Sequence, residues 1–279
     1  SENKISNVTN TGTGMVRTLC VDVSGSNSNL VLANNFITDV TTNGTTTNAA
    51  HGIFLQGGSG IKVYYNTIKL NLNQNNSSAA LYINGGNQID IRNNIFTNTG
   101  SQGVRYAIYA NVSASAFSAI NNNNYYAQYV GYLNSDRTTL AQWRTATGKD
   151  AASVSVLPTF NTDGLHLEAT TNALLNNIGT PLTDVLADID GQTRSTTTPD
   201  IGADEFELPR CTTVTTWNGS VWSNGNPNAN TSAIFTGNYT ATANLTACAM
   251  TVSNNAVVTI PAGFTLYLNS SLTVEMGAS

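Results

Sequence analysis

The sequence predicts an all-β protein whose main part is a solenoid, a right-handed parallel β-helix. Three observations lead to this prediction. A motif of apolar residues ending in asparagine recurs at intervals of roughly 30 residues, a period typical of repeat architectures. A second apolar stretch with alternating pattern precedes each copy. Charged residues make up only 10% of the chain while apolar residues make up 40%, which suits stacked strands joined by polar turns and argues against disorder.

The recurring motif occupies 30–37, 61–68 and 89–96, with a fainter copy at 118–125. Its anchoring asparagines are Asn35, Asn66, Asn94 and Asn123. Asparagine tolerates left-handed turn geometry and can bond neighbouring backbone groups, and stacked asparagine amides can bond one another in a ladder. We therefore expect these four residues to build the fold and not to form a binding site.

The preceding strands are 20–23, 52–55, 80–83 and 107–110. Because side chains alternate along a strand, aliphatic residues at every second position face the interior. Phe54, Tyr82 and Tyr109 then face outward in a column, and Tyr64 lies on the next strand. Such aromatic rings could bind sugars or anchor a protein partner. The alternative is that a loop, or a short helix predicted within 136–149, covers them.

Few residues of the repeats could support catalysis. Lys62, Asp90 and Arg92 are predicted to point outward on neighbouring strands of one sheet, as a small active centre or as a surface ion pair. The ion pair is the preferred interpretation, because a hydrolase needs two opposed carboxylates, and a lyase of this fold class usually needs a base and a Ca²⁺ site.

Acidic residues concentrate near the end of the first module. Asp188, Asp190, Asp200 and Asp204 could hold Ca²⁺, but no cofactor is required by the pattern. We prefer a structural clasp in which Asp190, Arg194 and Asp200 close the last turns, with Asp190 and Arg194 four residues apart and carboxylates accepting backbone N–H bonds. The two histidines, His51 and His166, have no obvious partners in the sequence and are interpreted as structural.

Several segments resemble the closing part of secreted bacterial right-handed β-helix repeat proteins, in the same order. They are 139–150, 153–155, 158–160, 165–167, 188–191 with Arg194, and 200–206. Such proteins are common on the surface of Bacteroidetes-type bacteria. The resemblance spans roughly residues 1–207 and implies fold and extracellular location more than activity, since that family is functionally mixed.

A boundary is predicted at Pro209-Arg210-Cys211, so that 1–207 and 208–279 form two modules. Residues 216–227 resemble an element of large Bacteroidetes exported proteins. Short apolar stretches separated by turns predict a second, smaller β-rich module, either a solenoid with shorter repeats or a β-sandwich. Its pattern is cut within a strand, so we expect the chain to be part of a longer polypeptide. Cys211 and Cys248 flank one segment and could form a disulfide.

Together these features predict a non-catalytic, adhesin- or stalk-like segment of a secreted or cell-surface protein, with glycans or cell-surface molecules as ligands. The resemblance implies type IX secretion, and hence contact with the secretion or outer-membrane machinery. A net charge of −5 disfavours nucleic acid as a partner, and no apolar run predicts a transmembrane segment. The alternatives are a polysaccharide lyase or glycoside hydrolase, and a spacer without a ligand.

Overall fold

The computed structural model describes residues 2–15, 17–25, 28–45, 49–208 and 211–279. Two compact units result, one comprising Ser1–Leu167 and Leu174–Phe206, the other Glu168–Ala173 and Glu207–Ser279. Pro209 and Arg210, at the predicted module boundary, lie outside the described residues. Within the described ranges, no helix is both long enough and apolar enough to cross a bilayer.

The first unit consists of short strands followed by one α-helix in its described part. The strands are β1 (Lys4–Ile5), β2 (Val8–Asn10), β3 (Thr18–Val23), β4 (Val31–Ala33), β5 (Phe36–Thr38), β6 (Val40–Thr42), β7 (Ala50–Leu55), β8 (Lys62–Tyr64), β9 (Thr67–Leu70), β10 (Ser78–Ile83), β11 (Ile89–Arg92), β12 (Ile95–Asn98), β13 (Arg105–Ala110), β14 (Phe117–Asn121), β15 (Asn124–Ala127), β16 (Tyr129–Leu133) and β17 (Ser135–Arg137). Helix α1 spans Leu140–Thr147, and 3-10 turns span Ala114–Ala116 and Ala173–Leu175.

These strands form three main parallel sheets, in which each strand pairs with its counterpart from the neighbouring repeat. The first sheet has the order β1-β5-β9-β12-β15, the second β4-β8-β11-β14, and the third β3-β7-β10-β13-β16, while β2 pairs with β6. Strand β17 extends the third sheet by antiparallel pairing with β16. The fold is thus mostly β with parallel sheets, as the sequence predicts.

The aliphatic residues line up from repeat to repeat. Val63 is in register with Leu32 on one side and Ile91 on the other, and Ile91 is in register with Ile120. All four side chains are buried and belong to one core cluster. Because parallel neighbours keep the same alternation, every repeat contributes the same face to this core.

A ladder of buried asparagines runs beside the core. The Nδ2 of Asn35 donates to Asn66 Oδ1 at 2.7 Å, that of Asn66 to Asn94 at 2.9 Å, and that of Asn94 to Asn123 at 2.9 Å. Asn3 extends the ladder by donating to Asn35 at 2.9 Å. The four predicted structural asparagines therefore satisfy one another where water is excluded.

The residue before each ladder asparagine turns the chain. Asn34, Tyr65, Asn93 and Asn122 have φ values of 53°, 52°, 61° and 54°. Asparagine adopts this left-handed conformation more readily than other non-glycine residues, which explains why the motif so often contains two asparagines in a row. The first makes the turn and the second joins the ladder.

Helix α1 covers the last repeat. Thr139 and Gln142 form a capping box at its start, and Gly148, with φ 66°, ends it. Trp143 is fully buried against Gly131 of β16, where a Cβ atom would come within 2.5 Å of the indole. The predicted helix is present, and the absence of a side chain at Gly131 provides the space for its tryptophan.

The second unit contains shorter repeats. Its strands are β18 (Thr213–Trp217), β19 (Thr231–Phe235), β20 (Tyr239–Thr240), β21 (Leu245–Ala247), β22 (Ala249–Val252), β23 (Val258–Thr259), β24 (Leu266–Leu268) and β25 (Leu272–Val274). They pair in parallel as β18-β19-β22-β25, β20-β23 and β21-β24, which argues against the antiparallel sheets of a β-sandwich. Cys211 and Cys248 form a disulfide with a Cα–Cα distance of 5.5 Å.

Candidate functional site

Aromatic side chains cover the side of the third sheet that faces away from the main core, and we call this surface the tyrosine face. Parallel register places them in two rows. One row consists of Phe54, Tyr82, Tyr109 and Tyr132, and the other of His51, Ala79, Tyr106 and Tyr129. In the first row the rings of Tyr82 and Tyr109 stack at 4.8 Å between centroids, and those of Tyr109 and Tyr132 at 4.3 Å.

The sequence leaves open whether this column is exposed or covered, and two of its members are covered. Phe54 and Tyr82 point away from the main core, but they are only 6% and 8% exposed. The strand spacing of about 4.8 Å is close to the distance between the centroids of offset-stacked rings, so each ring covers part of the face of the next. Tyr109, Tyr129 and Tyr132 are half-buried. Their rims therefore offer contact surface, while the faces between stacked neighbours do not.

Tyr64, another member of the predicted ligand-binding set, is buried. Its ring packs in a separate cluster with Tyr65, Leu182 and Val185. Its hydroxyl donates to Asp90 Oδ2 at 2.7 Å. Burial, reinforced by this contact with Asp90, raises the pKa of Tyr64 above its ordinary value. The residues that cover it come from the segment after 180, whose path the repeat pattern did not reveal.

The predicted catalytic candidates Lys62, Asp90 and Arg92 are bound in ion pairs. Arg92 contacts Asp90 with two nitrogens, Nε to Oδ1 at 2.7 Å and Nη2 to Oδ2 at 2.6 Å. Lys62 pairs with Asp184 at 2.5 Å and not with Asp90. This arrangement matches the ion-pair interpretation, with Asp184 as a partner that the sequence did not indicate.

Residues 160–167 and 174–206 of the first unit, which we call the closing segment, include the predicted clasp. Arg194 is buried and donates from Nη1 to Glu205 at 3.2 Å and from Nη2 to Asn34 Oδ1 at 3.0 Å. Its guanidinium also lies 3.9 Å from the ring centre of Tyr65. The clasp therefore ties the closing segment to the turns of the repeats. However, the carboxylate that pairs with Arg194 is Glu205 and not the predicted Asp190.

Two of the predicted metal ligands are used to hold the backbone. Asp188 accepts the backbone N–H groups of Asp190, Gln192 and Glu205 at 2.9, 2.7 and 3.0 Å. Asp200 accepts those of Asn177 and Phe206 at 2.5 and 2.8 Å. Burial raises the pKa of Asp200 to about 7 despite these bonds. Asp188 and Asp200 thus have the structural role that the sequence favoured over metal binding.

The remaining two predicted metal ligands meet a histidine. One ring nitrogen of His166 and one carboxylate oxygen each of Asp190 and Asp204 lie within 4.8 Å of one another. His166 Nε2 lies 2.7 Å from Asp190 Oδ2, and its Nδ1 bonds Asp163. Lys4 Nζ contacts the other oxygen of Asp190 at 3.0 Å. We call His166, Asp190 and Asp204 the histidine–carboxylate cluster.

Two turns and one backbone hydrogen bond hold this cluster in place. Asp163 Oδ1 accepts the backbone N–H groups of Leu165 and His166 at 2.9 and 3.1 Å, which fixes the turn before the histidine. The Asp188 carboxylate shapes the turn that carries Asp190. The N–H of Ile189 donates to the carbonyl of Ala203 at 3.0 Å, which joins that turn to the strand-like stretch carrying Asp204.

Electrostatics distinguish the cluster members. Burial would lower the pKa of His166, but its hydrogen bonds to Asp163 and Asp190 raise it above the ordinary value. Burial would raise the pKa of Asp190, but His166 and Lys4 lower it. Asp204 is 8% exposed, and burial raises its pKa to about 6. No residue in the described ranges donates a hydrogen bond to the Asp204 carboxylate.

The sequence pattern predicts Asp190 and Asp204 as candidate metal ligands, but it does not predict that His166 lies beside them. The signal available was the spacing of Asp163 and His166, three residues apart around Gly164, a pattern in which an aspartate can orient a histidine within one turn. Their approach to Asp190 and Asp204 depends on folding of the closing segment and has no local signature.

Comparison of the chain with family models, with curated proteins and with solved structures finds no significant match.

Proposed function

We propose that this chain is a non-catalytic, rigid segment of a secreted or cell-surface protein, in which the parallel sheets of the first unit form a right-handed β-helix. The observation that carries this proposal is the asparagine ladder. The residue that recurs in every repeat donates to its own copy in the next repeat, so the most regular feature of the sequence serves contact between repeats. A solenoid held by such nearest-neighbour contacts is suited to spacing and presenting surfaces.

Extracellular location is supported by the disulfide between Cys211 and Cys248, because disulfides persist in oxidising compartments. It agrees with the sequence resemblance to Bacteroidetes-type surface proteins. On this basis we propose export by the type IX route, with the secretion or outer-membrane machinery as a transient partner. Appearance of the protein on the cell surface of a type IX-competent bacterium, and its retention inside a secretion-deficient strain, tests this part.

The half-buried end of the tyrosine face is the proposed adhesive surface. Tyr109, Tyr129 and Tyr132 present ring rims on a rigid sheet, and tyrosine gives large contact area at low entropic cost. We propose that this end binds an extended polysaccharide along the direction in which the strands stack.

Binding is tested with the purified protein on immobilised pectin, alginate and glycosaminoglycans. The double variant Tyr129→Ala with Tyr132→Ala should lose retention on any polysaccharide that the unaltered protein binds. Tyr267→Ala is the matched control, because Tyr267 is 51% exposed in the second unit. Retention that survives the double variant would remove the tyrosine face from the proposal.

A polysaccharide lyase or hydrolase is the alternative function. One observation favours it: Arg92 and Lys149 line an open groove of about 490 Å³ in the first unit. Release of unsaturated or reducing sugar ends from the same polysaccharides measures it directly. We expect no turnover, because Arg92 is engaged by Asp90. Turnover that Lys149→Met abolishes would replace the non-catalytic proposal.

A further inference from the structure

Asp204 is a buried carboxylate of the first unit that receives no hydrogen bond from the described residues. It is more than nine-tenths buried. The Asp204 oxygens are not among the fully buried unpaired atoms of the described residues, but a carboxylate with so little exposure is stabilised by a positive charge close to it. Asp204 differs in this from three nearby carboxylates, since Asp188, Asp200 and Glu205 all accept backbone N–H bonds.

The Asp204 carboxylate lies close to two side chains of types that can bind a metal ion. Its oxygen, an oxygen of Asp190 and a nitrogen of His166 all lie within 4.8 Å of one another. Two carboxylate oxygens and one imidazole nitrogen form a donor set for a divalent transition metal, whereas a Ca²⁺ site takes six to eight oxygens. Ligands around Zn²⁺ lie about 2.0–2.2 Å from the ion, so small side-chain movements would bring all three into range.

Asp163, which contacts the cluster, orients His166 for metal binding. Asp163 accepts a hydrogen bond from His166 Nδ1, which leaves Nε2 directed at Asp190, 2.7 Å away. Metal-binding histidines almost always bond a carboxylate or carbonyl through their other nitrogen in this way. Asp163 is itself fixed, because its other oxygen accepts two backbone N–H groups.

Charge around the cluster also favours a cation. Asp163, Asp190 and Asp204 carry three carboxylates, and Lys4 supplies one ammonium at 3.0 Å from Asp190. A divalent ion would displace the proton that His166 shares with the neighbouring carboxylates, and its two positive charges would balance the remaining two negative charges. We infer that His166, Asp190 and Asp204 form a binding site for one divalent transition metal ion of the Zn²⁺ class, with Asp163 orienting His166.

The inference is independent of the proposed function, and it is tested on the full chain with Zn²⁺ alone. Titration calorimetry of metal-free protein in a non-coordinating buffer should show one saturable site. Asp204→Asn should weaken the affinity by more than tenfold, and Asp163→Asn by about 10–100-fold as for other outer-shell carboxylates. Asp184→Asn is the control, because this aspartate lies in the closing segment but pairs with Lys62, and its affinity should not change.

The two histidines of the chain provide an internal control. In nuclear magnetic resonance spectra, Zn²⁺ should shift the imidazole signals of His166 and leave those of the buried His51 unchanged. Circular dichroism of each variant verifies folding, and Asp204→Asn is expected to fold because that carboxylate accepts no hydrogen bond from the described residues. The inference is overturned by a lack of saturable binding, by equal affinity in Asp204→Asn, or by signals of His51 that shift in place of those of His166.

Discussion

The two units build parallel sheets from repeats of different length, and they secure those repeats by different means. In the first unit the ladder asparagines are 28–31 residues apart. In the second, equivalent side-chain contacts join residues 18–21 apart. The unit with the longer repeat buries a polar ladder beside its aliphatic core. The shorter repeat has a small core, and a disulfide joins its residues 211 and 248.

This difference indicates how repeat length determines the source of stability. A buried amide ladder needs complete exclusion of water, because each bond is strong only where the alternative is an unpaired buried group. The described part of the unit with short repeats has no such amide ladder and contains a covalent link that limits the unfolded chain. Each unit should therefore be sensitive to changes that leave the other unaffected.

The largest expected effect is on the first unit and comes from Asn94→Ala. Asn94 donates to Asn123 Oδ1 and to the carbonyl of Val63, and it accepts from the backbone and side chain of Asn66. Its removal leaves several buried groups unpaired, at about 1–3 kcal/mol each, so we expect a loss of ~4 kcal/mol. Hydrogen exchange measured by mass spectrometry should show lost protection across the repeats and unchanged protection in 211–279. Equal loss in both units would contradict the comparison.

Removal of the disulfide should destabilise the second unit and leave the first unit unaffected. Replacing Cys211 and Cys248 with serine opens a link across 37 residues, which should destabilise the second unit by about 3 kcal/mol. Thermal melting and hydrogen exchange should place this loss in the second unit alone. Cys20 remains as the control thiol, and burial raises its pKa to about 12, so it should react slowly with alkylating reagents. A loss of protection around the asparagine ladder would show that the two units depend on the same link.

Change of pH should affect the first unit more than the second. The folded-state pKa of Asp200 is about 7, above its ordinary value of 3.8, so between these values the folded state holds a proton that the unfolded state has lost. Stability therefore falls as pH rises from 5 to 8, by on the order of 2 kcal/mol since one pKa unit corresponds to about 1.4 kcal/mol. His166, whose pKa is also raised, contributes with the same sign.

The pH experiment is done by thermal melting in the presence of a chelator. Asp200→Asn should reduce the pH dependence of the first unit and leave the part that comes from His166 and Asp204, even though the variant loses an acceptor for the N–H of Phe206. The acids of the second unit are Glu168, Glu207 and Glu275, and we expect its melting temperature to be nearly constant over this range. An increase in the stability of the first unit from pH 5 to pH 8 would contradict the raised pKa of Asp200.

The smallest expected effect concerns the exposed pair of Lys62 and Asp184, which are 37% and 39% exposed. Exposed ion pairs contribute about 0–1 kcal/mol. Asp184→Asn should therefore change the unfolding free energy by less than about 1 kcal/mol in chemical denaturation, and added salt should reduce the difference further. A larger effect would mean that this contact is needed to attach the closing segment.

Much of the fold could be predicted because its determinants are local and repeated. The two-residue alternation in β3, β7, β10 and β13 identified the core faces, and the spacing of Asn35, Asn66, Asn94 and Asn123 identified the ladder. Helix α1 was predictable from Leu140, Trp143 and the terminal Gly148. The exposure of Phe54, Tyr82 and Tyr64 was not, because burial on the outer side of a sheet depends on neighbours that the strand pattern does not include.

The sequence by itself determined the parallel strands, their register and the positions that stack, since each of these follows from a pattern that repeats along the chain and needs no distant partner. Tertiary structure alone decided how the closing segment is used. In the folded chain Arg194 pairs with Glu205, and Lys62 pairs with Asp184. His166 lies beside Asp190 and Asp204. These contacts join residues more than ten positions apart with no recurring spacing, so they depend on where the folded backbone places each turn and on which carboxylates find backbone N–H groups there.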